Sequence, residues 1–356
     1  MPSVASRSSI WKTSSRQSGS TDAGATLSKD ALRSDARWMA AALALAERCR
    51  GRTAPNPGIG CVIIADGHVV GRGWTQPGGR PHAEAMALAE AGEKSRGATV
   101  YVTLEPCAHV SPRGPACADL LVAAGVARLV AALGDPDPRT DGAGFARLRD
   151  AGIAVDQGVG AEAAARAIAG FLTRQARGRP HVTLKLALSL DGAVALGSGS
   201  SRWITGGEAR AHAHVERSRH EAILVGRGTW ESDKPRLDVR LAGLEGRAPR
   251  RVLLSKHATP DDDVTVIDVP EKIASLEGVD HLLVEGGAAT AAAFLVADLV
   301  DRLLLYRAPI LVGGGRTLPD IGLTDLAAAH GRWHLLDARP LGSDRVEVYE
   351  RRRSER

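Results

Sequence analysis

The chain has 356 residues, enough for two domains of ordinary size. Hydrophobic residues make up 44% and charged residues 24%, a balance that suits buried cores and excludes a disordered polymer. The net charge is a mild +5, aromatic residues are only 3%, and no apolar run reaches about 18 residues, so neither a nucleic-acid surface nor a membrane span is indicated.

Residues 1–30 are Ser- and Arg-rich, lack an apolar h-region and read as a disordered tail. Ala/Leu periodicity predicts a helix from Ala31 to Glu47. "TAPNPG" is a loop, "GCVIIA" a buried strand, "DG" a turn and "HVVGRGW" the returning strand. "HAEAMALAEAGEKSRG" reads as a helix, "ATVYVTLE" as a strand, "CADLLVAAGV" as a helix and "ARLVAAL" as a strand. A "GDPDPRTDGAGF" loop leads to helix "ARLRDAG", strand "IAVDQG" and one helix over about Ala161–Gln175. This alternation predicts a layered α/β domain with a mainly parallel sheet. The polar, Gly/Pro-bearing "RGRP" marks a boundary, giving domains over 31–176 and 177–356. Beyond it, "HVTLKLALSLDG", "HEAILVGRGTW", "RRVLLS", "VDHLLVEGG" and "DRLLLYRAPILVGGG" supply the strands of a second α/β unit.

The first half carries a sharp constellation. His82 and Glu84 form His-x-Glu at a helix start, and Cys107 and Cys117 flank a Pro/Gly loop. Four ligands hold a typical zinc ion, and a catalytic site keeps one position for water. His82, Cys107 and Cys117 supply three and leave the ion Lewis-acidic enough to lower the pKa of water. Glu84, beside the metal rather than on it, can carry the proton from water to a leaving ammonia. This is the pattern of zinc-dependent deaminases. A structural site would want a fourth protein ligand; His109 could be offered, but Glu84 would then lack a purpose. Cys49 and Cys61 read as small buried hydrophobes. The cysteines point to a reducing, cytoplasmic setting in which such a cluster binds metal rather than forming disulfides.

The second half has no G-x-G-x-x-G after its first strand, which disfavours an ordinary Rossmann domain. Gly-rich turns follow the strands in "VGRGTW", "VEGGAAT" and "LVGGG" and can bring backbone N–H groups to phosphate. Arg217 and Arg240 are candidate phosphate ligands.

"TAPNPGIGCVIIADG", "HAEAMAL", "YVTLEPCAH", "GDPDPRTDGAGFARLRDAGIAV", "GRPHVTLKLALSLDGAVA", "SRWITG", "ILVGRGTWESDKPRLDVR" and "LLVEGG" resemble, in sequence and order, the bifunctional riboflavin-biosynthesis deaminase/reductase family. The resemblance implies a cytidine-deaminase-like three-layer domain followed by a dihydrofolate-reductase-like α/β domain. It implies zinc-dependent deamination of 2,5-diamino-6-ribosylamino-4(3H)-pyrimidinone 5′-phosphate, then NADPH-dependent reduction of the ribosyl group to ribityl. His82, Cys107 and Cys117 match the zinc ligands and Glu84 the proton shuttle. By the same match Asn56, Ser201, Arg217, Leu237, Arg240 and Glu285 contact substrate, and Leu188, Trp203, Thr229, Asp233, Ser255 and Gly287 the nicotinamide cofactor. Lys185 and Asp191 are inner-cleft candidates, though "DG" at Asp191 also reads as a plain turn. Partners are expected to be the small phosphorylated pyrimidine and a second copy of the chain, with no nucleic acid or membrane. The sequence departs from the family pattern where "SPRGPAC" runs one residue longer before Cys117, where "DPDP" replaces "DPNP", and at Leu254, where Asp often precedes the Ser. A nucleic-acid base deaminase would share the zinc and Glu, but the low aromatic content counts against it. Loss of the reductase activity is the remaining alternative, because the second half lacks so sharp a signature.

Overall fold

The computed structural model describes residues 29–109, 111–201, 203–258 and 263–353, and the tail expected at 1–30 lies almost wholly outside them. The chain forms two compact units. One holds residues 57–168 with the helix before Cys49; the other holds residues 169–353 with the short segment Arg50–Asn56.

The first unit opens with α1 (Lys29–Ala46), whose buried Asp35, Met39, Ala42 and Ala46 recur at helical spacing. It continues with β1 (Gly60–Ala65), β2 (His68–Trp74), α2 (Ala83–Ala91), β3 (Thr99–Val102), α3 (Cys117–Ala124), β4 (Arg128–Ala131), α4 (Ala143–Asp150), β5 (Ala154–Gln157) and α5 (Ala161–Ala167). The sheet order is β2-β1-β3-β4-β5. β1 pairs antiparallel with both β2 and β3, whereas β3, β4 and β5 run parallel, so the sheet is mixed rather than mainly parallel. The "DG" turn explains the hairpin: it reverses β1 into β2 within two residues. Gly71 and Gly73 of β2 let α2 lie against the sheet. A Cβ at Gly73 would stand 2.0 Å from the Ala83 carbonyl oxygen, and one at Gly71 2.2 Å from that of Ala87. That close approach fixes the start of α2.

The helix expected over 161–175 is two helices, α5 and α6 (Ala169–Arg177), broken at Ile168 (φ −108°, ψ 23°). The division between the units falls at that break, ahead of the expected 176/177 position. The reason is visible in the bonds of α6. The Gly170 N–H donates to His281 Nε2 at 3.1 Å, and the Arg174 guanidinium reaches the carbonyls of Ala274, Leu276 and Val279.

The second unit continues with β6 (His181–Leu188), α7 (Gly207–Arg217), β7 (Ala222–Gly226), α8 (Arg227–Asp233), β8 (Arg250–Leu254), β9 (Val264–Ile267), β10 (His281–Val284), α9 (Ala288–Val296), β11 (Arg302–Arg307), β12 (Trp333–Leu341) and β13 (Asp344–Arg351). Its eight strands lie in the order β12-β13-β11-β6-β10-β7-β8-β9. β11 through β9 are parallel neighbours, and the β12–β13 hairpin joins antiparallel at the β11 side. Val182, Leu184, Leu224, Val252, Leu282, Val284, Ala291 and Phe294 make the main core. The continuous apolar runs of β7 and β10 are those of strands covered on both faces. Among the described residues no helix is long and apolar enough to cross a membrane.

Candidate metal centre and reductase cleft

His82 caps the N-terminus of α2, Cys107 follows the strand end at "TLEP", and Cys117 opens α3. The three side chains meet. His82 Nδ1 lies 3.5 Å from Cys107 Sγ and 3.4 Å from Cys117 Sγ. A tetrahedral zinc ion with sulfur at about 2.3 Å and nitrogen at about 2.0 Å needs an S···N separation of roughly 3.5 Å, so the donor set fits that ion. Both cysteines are buried and all four in the chain are free thiols. The Cys117 N–H, at the positive end of α3, donates to Cys107 Sγ at 3.3 Å. Hydrogen bonds from Cys117 and, against the cost of burial, from His82 draw the Cys107 thiol well below its ordinary range. The "SPRGPAC" loop is closed by a Ser111–Gly114 bridge and tied by Arg113 Nη2 to the Gly78 carbonyl at 2.8 Å; its extra length leaves Cys117 within reach of His82. His109 stands outside the cluster.

Glu84, in the first turn of α2, is 4% exposed. Burial pushes its carboxyl up to about 7, the charge on His82 opposing and that on Cys107 adding. A carboxyl poised there can take and return a proton near neutral pH.

Glu105 lies two residues before Cys107. Its buried carboxylate accepts the backbone N–H of Asp135, Gly142 and Phe145, each at 3.1 Å, and so pins the "GDPDP" loop beside the metal centre. The only sequence signal was an acid in a strand end that should be apolar. Asp135, in that loop, is raised by burial to about 6.

In the second unit the candidate residues gather at the carboxyl ends of the parallel strands, where open α/β sheets bind ligands. Leu188 ends β6, Thr229 follows β7, Ser255 follows β8, and Glu285 and Gly287 follow β10. Thr290 of α9 closes on this edge: a Cβ at Gly226 would lie 2.1 Å from its Oγ1, and one at Gly286 2.4 Å from its Cβ. Gly287 comes near Thr229, whose Oγ1 would be 3.6 Å from an added Cβ. Ser255 Oγ accepts the N–H of Ala258 at 3.0 Å and so shapes its own loop. Asp233 ends α8. Trp203 is 68% exposed with the Arg210 guanidinium 4.8 Å from its ring, and Ser201 is exposed nearby in sequence.

Arg217 pairs with Glu285 through two hydrogen bonds, and Lys185 Nζ stands 3.9 Å from the same carboxylate. Burial alone would raise Glu285; the Arg217 hydrogen bonds and charge, with Lys185, bring it down to about 2. Lys185 Nζ also sits 5.7 Å from the Tyr306 ring centre. Leu237 adopts φ 55°, a left-handed conformation that is strained for Leu, while its side chain is buried with Ile223, Val225 and Leu253. Only its backbone is free to meet a ligand. Asp191 is spent on structure: it takes a hydrogen bond from Ser189 and accepts the N–H of Val312 and Gly313 at 3.1 and 2.9 Å, holding the Gly-rich loop. Asn56 donates its N–H to the Thr53 carbonyl within the short segment that groups with the second unit.

Fold and site together define a zinc-type deaminase domain joined to a second α/β domain with a ligand edge. Residues 32–133 match the cytidine and deoxycytidylate deaminase zinc-binding region, and residues 180–346 match the RibD C-terminal domain. Riboflavin biosynthesis protein RibD of Escherichia coli is 40% identical over 346 residues, covering 83% of this chain and 94% of that protein. The Aquifex aeolicus RibD is 37% identical over 329 residues, covering 82% and 92%. The solved structure of Acinetobacter baumannii RibD superposes with a TM-score of 0.80 at 36% identity, covering 90% of this chain and all of that one. The chain belongs to the RibD family, and it is a bifunctional deaminase and reductase of riboflavin biosynthesis.

Proposed function

We propose that the first unit hydrolyses the 2-amino group of 2,5-diamino-6-ribosylamino-4(3H)-pyrimidinone 5′-phosphate, and that the second reduces the ribosyl side chain of the product to ribityl with NADPH. The observation that carries the reading is the convergence of His82, Cys107 and Cys117 with buried Glu84 beside them. Bound by those three residues, zinc supplies Lewis acidity that brings the pKa of water toward neutrality. Glu84 takes the proton from that water and hands it to the departing amine, so that water enters and ammonia leaves with protons balanced. Asn56 contacts the pyrimidine.

At the second site NADPH, when bound, supplies the hydride from its nicotinamide C4. Leu188, Trp203, Thr229, Asp233, Ser255 and Gly287 hold the cofactor, and the strand-end glycines admit its backbone-hugging phosphates. Ser201, the Leu237 backbone, Arg240 and the Arg217–Glu285 pair hold the substrate, with Lys185 in the inner cleft. The work of these residues is alignment of the sugar C1 with the hydride donor. Leu311, Leu326, Leu335 and Leu336 are exposed apolar side chains of the kind a second copy of the chain would cover, and the free buried thiols suit the cytoplasm.

The test is the purified protein with the diaminopyrimidine phosphate. Ammonia should appear without NADPH, and NADPH should be consumed only after ammonia is released. NADPH consumption without any ammonia release, or neither activity, overturns the reading.

A further inference from the structure

We propose that His214 is a positioning residue of the reductase, holding the Arg240 guanidinium in place for the substrate phosphate. The proposal rests on the reading of Arg240 as a substrate contact. Its own evidence is a set of contacts between α7 and the segment after α8. His214 Nε2 lies 3.4 Å from Arg240 Nη2. His214 Nδ1 lies 3.2 Å from the Asp238 carbonyl oxygen and 3.3 Å from the Arg240 backbone nitrogen. One ring therefore spans the backbone turn and the tip of the side chain that it carries.

The partners favour one tautomer. Asp238 O can only accept, whereas the Arg240 backbone N–H and Nη2 can only donate. A neutral ring with its proton on Nδ1 gives to the carbonyl and leaves the Nε2 lone pair for the guanidinium, meeting two of the three contacts. The other tautomer accepts the Arg240 backbone N–H at Nδ1 but sets Nε2–H against the guanidinium N–H. A doubly protonated ring does the same and adds charge repulsion.

Arg240 needs such a tether because its side chain is 54% exposed, and its one ion-pair partner among the described residues, Asp238 Oδ1, is 3.5 Å from Nε. Arg236 competes for that carboxylate at 2.5 Å. Arg217 cannot replace Arg240, since its Nε and Nη2 serve Glu285 and its Nη1 the Asp238 carbonyl. The charged groups that act on His214 are Arg217 from α7, Arg240 from the loop and Glu285 after β10, with the Asp238 backbone carbonyl against the ring. Burial, then Arg217 and Arg240, hold the imidazole below its ordinary pKa, which keeps the tethering form populated at neutral pH.

The experiment compares His214→Leu, His214→Gln and Arg240→Ala in the full chain, with the deaminated ribosylaminopyrimidine phosphate as substrate. In His214→Leu the substrate KM should rise about three- to tenfold, the cost of one lost hydrogen bond, with kcat and the KM for NADPH changed far less. Gln can accept from Arg240 through its amide oxygen and should recover most of the loss. Wild-type KM should climb as pH falls below about 6.5, whereas that of His214→Gln should climb less. The second ionisation of the substrate phosphate, near about 6, is common to both and cancels in their ratio. The proposal is overturned if Arg240→Ala raises KM and His214→Leu does not, or if wild type and His214→Gln share one pH profile. If Arg240→Ala itself leaves KM unchanged, the substrate role of Arg240 falls, and the tether with it. Should the Leu variant fail to fold, the pH comparison of wild type with Gln decides alone.

Discussion

Arg217 and Glu285 are locked together by parallel hydrogen bonds, 2.8 Å from Nε to Oε1 and 2.9 Å from Nη2 to Oε2. Each side chain already satisfies the other. The pair is a largely buried platform at the end of β10, whereas Arg240 keeps a half-exposed guanidinium. Removing one partner strands the other charge. Glu285→Gln should destabilise the second unit by about 3 kcal/mol and depress reduction, while ammonia release persists. Arg217→Lys should resemble it, because an ammonium cannot replace the fork. Urea unfolding with both activity assays checks this; a variant of unchanged stability and reduction contradicts the platform.

The zinc ligand set makes a second prediction. Cys117→Ser should lower bound zinc well below one ion per chain and abolish deamination, since two neutral or weak donors hold zinc poorly. Metal analysis beside the ammonia assay measures it. Unchanged zinc and activity would mean that another side chain, such as His109, completes the site.

A third prediction concerns acid. His181 and His220 are buried, and burial lowers both to about 3. In the unfolded chain they titrate near about 6.5. As pH falls below that value the unfolded state takes up protons that the folded state refuses, so stability is lost from about 6.5 downward, by up to about 1.4 kcal/mol per pH unit for each group. His220 holds the neutral form through Nδ1 donating to the Glu216 carbonyl at 2.7 Å and Nε2 accepting from Thr183 Oγ1 at 3.1 Å. His220→Gln should flatten the decline of the unfolding midpoint between pH 7 and 5. Carboxylates such as Asp301, which its arginine partners hold low, act only in more acid solution. An equal slope in wild type and variant would remove His220 from the account.

Much of this molecule is legible in its sequence, for physical reasons that differ by region. The zinc cluster was readable because metal ligation demands particular residue types at strand and helix ends. The "ADG" hairpin was readable because its turn chemistry is local. Two features escaped. The break at Ile168 carries no Gly or Pro, and it follows from the anchoring of Gly170 and Arg174 on residues some hundred positions away. The β12–β13 hairpin is mostly exposed along β12 and interrupted by Pro340, so it lacks the apolar alternation of a half-buried strand. Apart from Arg217 and Arg240, the candidate residues of the second unit came from family resemblance alone, because they are ordinary residue types, spread along the chain, that only the folded sheet brings to its carboxyl edge. The employment of Asp191 and of the Arg217–Glu285 pair was invisible for the same reason.

The account's central claim is that one chain carries two separate chemistries, with Glu84 moving the proton in the first. Glu84→Gln tests it most directly, by ammonia release, zinc content and NADPH oxidation on one preparation. The account predicts about one zinc per chain retained, deamination reduced at least about 10²–10⁴-fold, and reduction of the already deaminated substrate unchanged. Ammonia release near the wild-type rate, with zinc still bound, would contradict it.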